Sequence, residues 1–295
     1  MTSVAAVAHA RKELGGGLGE LRRVLASAGV TDPLWYEVSK SKKAPKRARA
    51  ALKEGCDLLF VWGGDGMVQR CADVLAGTGA TIAILPAGTA NLLATNLGIP
   101  ADIDAAVQIG LHGGRRRLDL GLLNGERFAV MAGTGIDALM IRDAGSGMKD
   151  RFGRLAYIWT GAKDIRKRRV RARIRVDGKK WFTGKASCVL LGNVEKVFGG
   201  ISVFNGARPD DGMLALGVVT AQSLWEWARA LGWTALGDAT RSPFVQTTTG
   251  HTFEISLDRK VPYELDGGDR TPTRHLTAVV EPGAIDVCVP EDADR

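Results

Sequence analysis

Val61-Trp62-Gly63-Gly64-Asp65-Gly66-Met67-Val68-Gln69 follows an apolar run, Leu58–Val61, in a chain of 295 residues. A buried strand that empties into three glycines predicts a tight loop leading into a helix. Glycine lets backbone N–H groups approach a bulky anion, and the helix aims its positive end at the same spot. A carboxylate beside a phosphate is repelled unless a cation or a transferring proton lies between them, so Asp65 points to metal-assisted phosphoryl chemistry. The loop is not a Walker A sequence, since no Gly-x-x-x-x-Gly-Lys-Ser/Thr occurs, and no Gly-x-Gly-x-x-Gly accompanies it.

Outward from this loop the chain alternates strand and helix signals. Strands are expected at Val4–His9, Leu34–Val38, Asp57–Trp62 and Thr81–Leu85, with helices at Leu21–Ala28, Ala44–Lys53 and Val68–Ala76. Short connections between such pairs mean a parallel sheet covered by helices, with ligands at the carboxyl ends of the strands. The texture changes near Arg115. Asn124-Gly125 and Asp177-Gly178 are hairpin turns. Further strands are expected at Ser187–Leu191, Leu214–Val219, Thr252–Leu257, Val261–Leu265, His275–Val280 and Ala284–Val289, and helices at Arg154–Arg166 and Leu224–Leu236. The expected fold is an N-terminal α/β domain, residues 1–118, followed by a mostly antiparallel β-sandwich, residues 119–295, whose last residues pack back on the first domain.

Apolar residues make up 45% of the chain, enough for a large core, yet no apolar run reaches the ~18 residues of a membrane span. The start, Met1-Thr2-Ser3-Val4, has no basic segment ahead of an apolar one, and a cytoplasmic protein is expected. Cys56, Cys71, Cys188 and Cys288 lack metal-ligand spacing, and with four histidines no zinc site is expected. The net charge of +8 favours an anionic partner. Arg169, Arg171, Arg173 and Arg175 alternate with Val170, Ala172, Ile174 and Val176, which sets a row of arginines on one strand face. That row is either a solvated face or a surface that docks on anionic lipid headgroups, making the protein peripherally membrane-associated. Nucleic acid is not expected, because no aromatic residues interleave with these arginines. Edge strands of the second domain leave room for a homodimer.

A second loop follows the fourth strand: Leu85-Pro86-Ala87-Gly88-Thr89-Ala90-Asn91, then Ala94 and Leu97-Gly98-Ile99-Pro100. Pro86 ends the strand, Gly88 permits a tight turn, and Thr89 and Asn91 place a hydroxyl and an amide near a helix start. With Gly63-Gly64-Asp65-Gly66 one βα unit earlier, the chain resembles the diacylglycerol kinase catalytic domain, in particular the soluble bacterial lipid kinases related to sphingosine kinases. Leu118-Asp119-Leu120-Gly121, Phe128 and Gly133-Thr134-Gly135-Ile136-Asp137 are similar to the family's crossover into its second domain. Ala207-Arg208-Pro209-Asp210-Asp211-Gly212-Met213-Leu214 resembles its Asp-Gly segment, and Leu265-Asp266-Gly267 falls where the family carries Asp-Gly-Glu.

The resemblance implies an ATP-dependent kinase that phosphorylates a lipid hydroxyl, with diacylglycerol the leading substrate and the ATP cleft between the domains. It implies ATP over Gly63, Gly64, Asp65, Gly66, Met67, Val68 and Gln69, with Gly88, Thr89, Asn91 and, early in the chain, Ser39 contributing. Mg2+ bridging the phosphates is expected beside Asp65 and Asp119, and a separate Mg2+ at the Asp211 carboxylate and the carbonyls of Arg208 and Met213. Hard oxygen ligands suit that ion. The chain departs from the family at three places. Met67 replaces a threonine after the glycine loop. His9-Ala10-Arg11-Lys12 replaces an Asn-Pro loop, with Arg11 or Lys12 either contacting phosphate or solvated. Gly268 stands where the family places its general-base glutamate, so Asp269, aimed by a turn shifted one residue, is expected to be the base, with Asp266 the other choice. Two further readings stay open: an NAD kinase-like phosphotransferase, which shares Gly-Gly-Asp-Gly, and a catalytically weak nucleotide- or lipid-binding protein.

Overall fold

The computed structural model describes residues 3–135, 169–197, 201–235 and 241–291. The helix expected at Arg154–Arg166, and Ile136 and Asp137, lie outside the described residues. Four strands, β1 (Val4–His9), β2 (Leu34–Val38), β3 (Leu58–Gly63) and β4 (Thr81–Pro86), pair in parallel in the order β2–β1–β3–β4. Every residue of β3 is buried, as a strand sandwiched between helix layers requires. Helices α1 (Gly17–Ser27), α2 (Ala44–Lys53) and α3 (Asp65–Leu75) connect them, α2 with a proline in its first turn. Helix α3 starts three residues earlier than its apolar spacing predicts, because Asp65 and Gly66 already take helical geometry.

Two helices escape the pattern reading. The short α4 (Leu92–Asn96) follows the second loop, and α5 (Ile103–His112) is capped by Asp102, whose Oδ1 accepts the Ala105 N–H at 2.8 Å. Helix α5 lies against the parallel sheet so closely that a Cβ on Gly110 would sit 2.6 Å from Phe60 Cζ and 2.9 Å from Ala83 Cβ.

Among the described residues the second half is mostly antiparallel β: β5 (Gly114–Leu123), β6 (Glu126–Phe128), β7 (Met131–Thr134), β8 (Val170–Val176), β9 (Lys179–Ala186), β10 (Cys188–Gly192), β11 (Lys196–Val197), β12 (Ile201–Ser202), β13 (Leu214–Val219), β14 (Val245–Gly250), β15 (Thr252–Leu265) and β16 (Gly268–Val289), with the helix α6 (Leu224–Ala235). The segments Thr252–Leu257 and Val261–Leu265 form one strand with an irregularity between Ser256 and Val261. Through it β15 pairs first with β8 and then with β7, passing from one layer of the sandwich to the other. Strand β16 likewise merges two expected strands. Its first part pairs with β15 and its last residues, Asp286 and Val287, pair in parallel with Thr81 and Ile82 of β4. Strand β5 runs through residue 118 and pairs with β16 on both sides of its irregularity at Glu281–Ile285. The two halves therefore share one continuous backbone ladder, while their apolar residues form two clusters: one around the parallel sheet, one inside the sandwich among Phe128, Ile174, Leu216 and Phe253.

Replacing Gly110 with alanine is expected to destabilise the protein by roughly 1–3 kcal/mol, since Phe60 and Ala83 are fixed in the core and cannot yield; a melting temperature equal to wild type would contradict this packing.

Candidate active site

All four parallel strands end at the same edge. His9–Lys12, Ser39, the Gly63–Gly66 loop and the Pro86–Asn91 loop are there side by side. The two glycine loops touch. A Cβ on Gly64 would lie 3.1 Å from Gly88 Cα, and one on Gly88 would land on Gly64 itself. The Ala87 N–H donates to the Gly63 carbonyl at 3.1 Å, and Asp65 Oδ1 accepts the Leu93 N–H at 3.2 Å. Asp65 thus sits at the start of α3 and caps the start of α4. Burial pushes its carboxyl above the ordinary range, against the N–H groups of Leu93, Leu92 and Asn91, which favour the anion.

Asn91 spends its side chain on its own loop. It is left-handed (φ 48°), its Oδ1 accepts the Gly88 N–H at 2.8 Å, and its Nδ2 donates to Pro86 O at 3.0 Å and Gly88 O at 3.1 Å. Thr89 is exposed beside it. Met67, Val68 and Gln69 are buried, so any contact of Met67 or Val68 with a nucleotide falls to the backbone. Met67 packs under Gly63, where a Cβ would lie 2.7 Å from its own, and the side chain at this position points into the core. Ser39 is exposed and its carbonyl accepts from Arg11 Nη2 at 3.0 Å; Lys12 O accepts from Trp62 Nε1 at 3.1 Å. Burial, then Lys12 and Arg11, lowers the His9 pKa, the mark of a basic edge.

The second domain closes this edge through the Asp266–Gly267 turn, whose carbonyl at Asp266 lies 3.6 Å from where a Gly66 Cβ would be. Asp266 and Gly267 have φ of 44° and 76° and join Leu265 to Gly268 in a two-residue hairpin. Asp266 is 5% exposed; its carboxylate accepts the N–H groups of Ala129 (2.7 Å), Val130 (3.0 Å) and Met131 (2.8 Å). Burial, joined by the charge of Asp65, pushes its carboxyl up to about 7 against these donors.

Asp119 is 3% exposed, and its oxygens accept the N–H groups of Gly212 (2.6 Å) and Gly283 (2.7 Å). These two contacts pin the Asp-Gly segment and the β16 irregularity to β5. The hairpin also keeps its register: Gly268 pairs with Leu265 and Asp269 with Glu264, so the one-residue shift that would aim Asp269 into the position of residue 268 does not form. Asp269 is exposed, on the opposite face of the strand from Gly268.

Arg208, Asp211 and Met213 fall on one surface turn. Asp211 Oδ1 accepts the Met213 N–H at 2.9 Å, Arg208 Nε pairs with Asp210 at 3.2 Å, and Asp211 and Met213 line a cavity of about 330 Å3 with Phe204 and Thr248. No group of three His, Cys, Asp or Glu side chains gathers among the described residues. A Mg2+ ion fits this chain as one carboxylate supplemented by carbonyls, phosphate and water, the usual mode for that ion. At the cleft Asp65 would be the residue to hold it, and on the surface turn Asp211.

Sequence reading missed a cluster beside α3. Arg270 donates from Nε to Glu126 Oε2 at 2.6 Å and from Nη2 to Glu126 Oε1, while Gln69 Nε2 reaches Glu126 Oε1 at 3.3 Å and Arg127 O at 2.6 Å. Arg127 in turn pairs with Glu281 and, at 3.4 Å, with Asp73. Asn193, 1% exposed, donates to Asp119 O and Ala129 O. A polar residue at the end of the fully apolar β10 is the one local signal for it.

The diacylglycerol kinase catalytic domain profile matches residues 10–123, and the profile described as YegS C-terminal NAD kinase beta sandwich-like domain matches residues 130–289. The chain belongs to the diacylglycerol kinase-like lipid kinase family. It is 30% identical over 259 residues, 85% of this chain and 83% of the other, to a protein of Pseudomonas fluorescens named probable lipid kinase YegS-like. It is 28% identical over 262 residues to a diacylglycerol kinase of Staphylococcus carnosus, spanning 87% of this chain and 84% of that one. The fold matches a diacylglycerol kinase structure from Bacillus anthracis, with a TM-score of 0.73 at 20% identity, covering 97% and 96% of the two chains. It also matches an NAD kinase from Archaeoglobus fulgidus in complex with ATP, with a TM-score of 0.55 at 9% identity over 98% and 95%.

The raised Asp266 carboxyl makes a prediction with a definite sign. The folded state keeps this proton where the unfolded chain has released it, so its contribution to stability is present below about pH 4 and is lost as pH rises to about 7. Melting temperatures across that range should fall more steeply for wild type than for Asp266→Asn; parallel curves would rule the shift out.

Proposed function

We propose that this protein transfers the γ-phosphate of ATP to the hydroxyl of a membrane-derived lipid alcohol, with diacylglycerol giving phosphatidic acid as the leading case. The observation that carries the reading is the contact of Gly64 with Gly88, which sets two amide-rich loops and two helix starts around one point of the sheet edge. Such an arrangement favours a polyphosphate. Mg2+ held at Asp65 would neutralise charge on the phosphates. Family membership supports phosphoryl transfer to a lipid rather than to a dinucleotide, and the names of the relatives support the choice of diacylglycerol.

The acceptor must leave a bilayer, and two surfaces suit that task. No helix among the described residues is long and apolar enough to cross a membrane. Arg171, Arg173 and Arg175 are exposed along β8, and on the neighbouring strand Lys185 faces Arg171 and Lys180 faces Arg175. Like charges directly opposite one another cost stability, a cost an anionic surface relieves. Each such residue near an anionic bilayer is worth about 1 kcal/mol of attraction. Of the tryptophans in α6, Trp227 is buried, Trp233 is half-buried and Trp225 is 74% exposed, which leaves one ring available to a lipid interface.

Incubation with labelled ATP and Mg2+ against diacylglycerol, a sphingoid base and NAD in parallel tests the reading: label is expected in a lipid and not in NAD. Label in NAD alone, or in none despite measurable ATP binding, would refute it. In the same assay on anionic vesicles, Arg171→Glu with Arg173→Glu should reduce sedimentation with the vesicles and raise KM for lipid. Vesicle binding indifferent to salt and to these changes would remove the electrostatic part.

A further inference from the structure

Residue 268 is glycine, and its side-chain direction is already filled. A Cβ built there would lie 2.7 Å from Arg270 Nη1. The Arg270 guanidinium is held by Gly268 O at 2.8 Å and by both oxygens of Glu126, and its side chain is only 13% exposed. Glu126, at the start of β6, is therefore a carboxylate delivered by a different strand to the space beyond position 268. Its side chain is 31% exposed. Gln69, one helical turn past Gly66 on α3, holds it from the first domain, and Arg70 Nη1 lies 3.9 Å away. The two oxygens are not equivalent. Oε1 receives Arg270 Nη2 and Gln69 Nε2, whereas Oε2 receives Arg270 Nε, which leaves it a lone pair.

Resting on the kinase reading, we propose that Glu126, clamped by Arg270 in the space that Gly268 leaves open, is the carboxylate that accepts the proton of the acceptor hydroxyl. In this step the acceptor O–H bond breaks and its proton passes to Glu126 Oε2. The freed oxygen bonds to the γ-phosphorus while the bond to the β,γ-bridging oxygen breaks, and ADP leaves with that electron pair. Arg270 is a positioning residue: its planar fork fixes both carboxylate oxygens and keeps the anion charged in a half-buried site. Burial alone would favour the neutral acid; the Arg270 contacts, with Gln69 and Arg70, hold the Glu126 carboxyl below the usual range, so it is ionised and ready to accept at neutral pH. A side chain at 268 would require the end of the flexible Arg270 side chain to shift.

The test is a rescue. Glu126→Gln should lower kcat for lipid phosphorylation by roughly 10²–10⁴-fold, the worth of a positioned base, with KM for ATP unchanged. Gly268→Glu added to Glu126→Gln should restore at least a tenth of wild-type kcat, since Arg270, relieved of its partner, can accept a carboxylate from position 268. Turnover of Glu126→Gln within about twofold of wild type overturns the proposal. So does a loss of kcat that Gly268→Glu leaves unrepaired while the melting temperature also falls, the signature of a structural salt bridge. Wild-type protein that labels no lipid under the same conditions refutes the kinase reading itself, a separate and recognisable failure.

Discussion

Everything at the sheet edge depends on the contact between the backbones of Gly64 and Gly88. No side chain fits between them, as the built Cβ positions require. Their approach brings the start of α3 against the start of α4, and the Asp65 carboxylate closes the joint by accepting the Leu93 N–H. Two helix starts converge on one point. Asn91 protects the joint by satisfying Pro86 and Gly88 from within the loop, at the cost of its own availability to a ligand.

Three carboxylates around these joints have tightly restricted freedom. Asp266 is gripped by three amides of the 129–131 turn, Asp119 by two amides from distant segments, and Asp65 by the first turn of α4. Each fixes one piece of the second domain or one loop relative to the parallel sheet. Beside them the chain Gln69–Glu126–Arg270, with Asp73–Arg127–Glu281, ties α3 to β6 and β16. The helix that starts at the glycine loop is therefore tied to β6 and β16 of the second domain. Charge partners this close, partly shielded from water, constrain the relative placement of the halves more firmly than exposed pairs do.

Much of this was legible in the residues. The strands β1, β2 and β13 and the helix α2 have the limits that hydrophobic periodicity predicts. Leu58–Gly63 is apolar throughout and can only be a central strand, and Gly63–Gly66 and Pro86–Asn91 leave consecutive strands that must be parallel neighbours. Helix α5 was missed although Ile103, Ala106, Val107 and Gly110 carry helical spacing and Asp102 caps it. The strands on either side of Ser256/Val261 and of Glu281/Ile285 read as separate elements because a bulge interrupts the alternation without interrupting the ladder.

The sequence by itself determined the two glycine loops, the sheet edge they share and the family they belong to, because each is a local pattern of residue size and backbone freedom. Only the tertiary structure decided what the polar residues do. Met67 turns inward under Gly63, Asp119 is buried under two amides, and Asp269 stays on the outer face because the Asp266–Gly267 turn fixes the register. Glu126 and Arg270, 144 residues apart, share no pattern that a reading along the chain can detect. Hydrogen bonds between distant strands carry no local signature, and they form only when the sheet register brings the partners together.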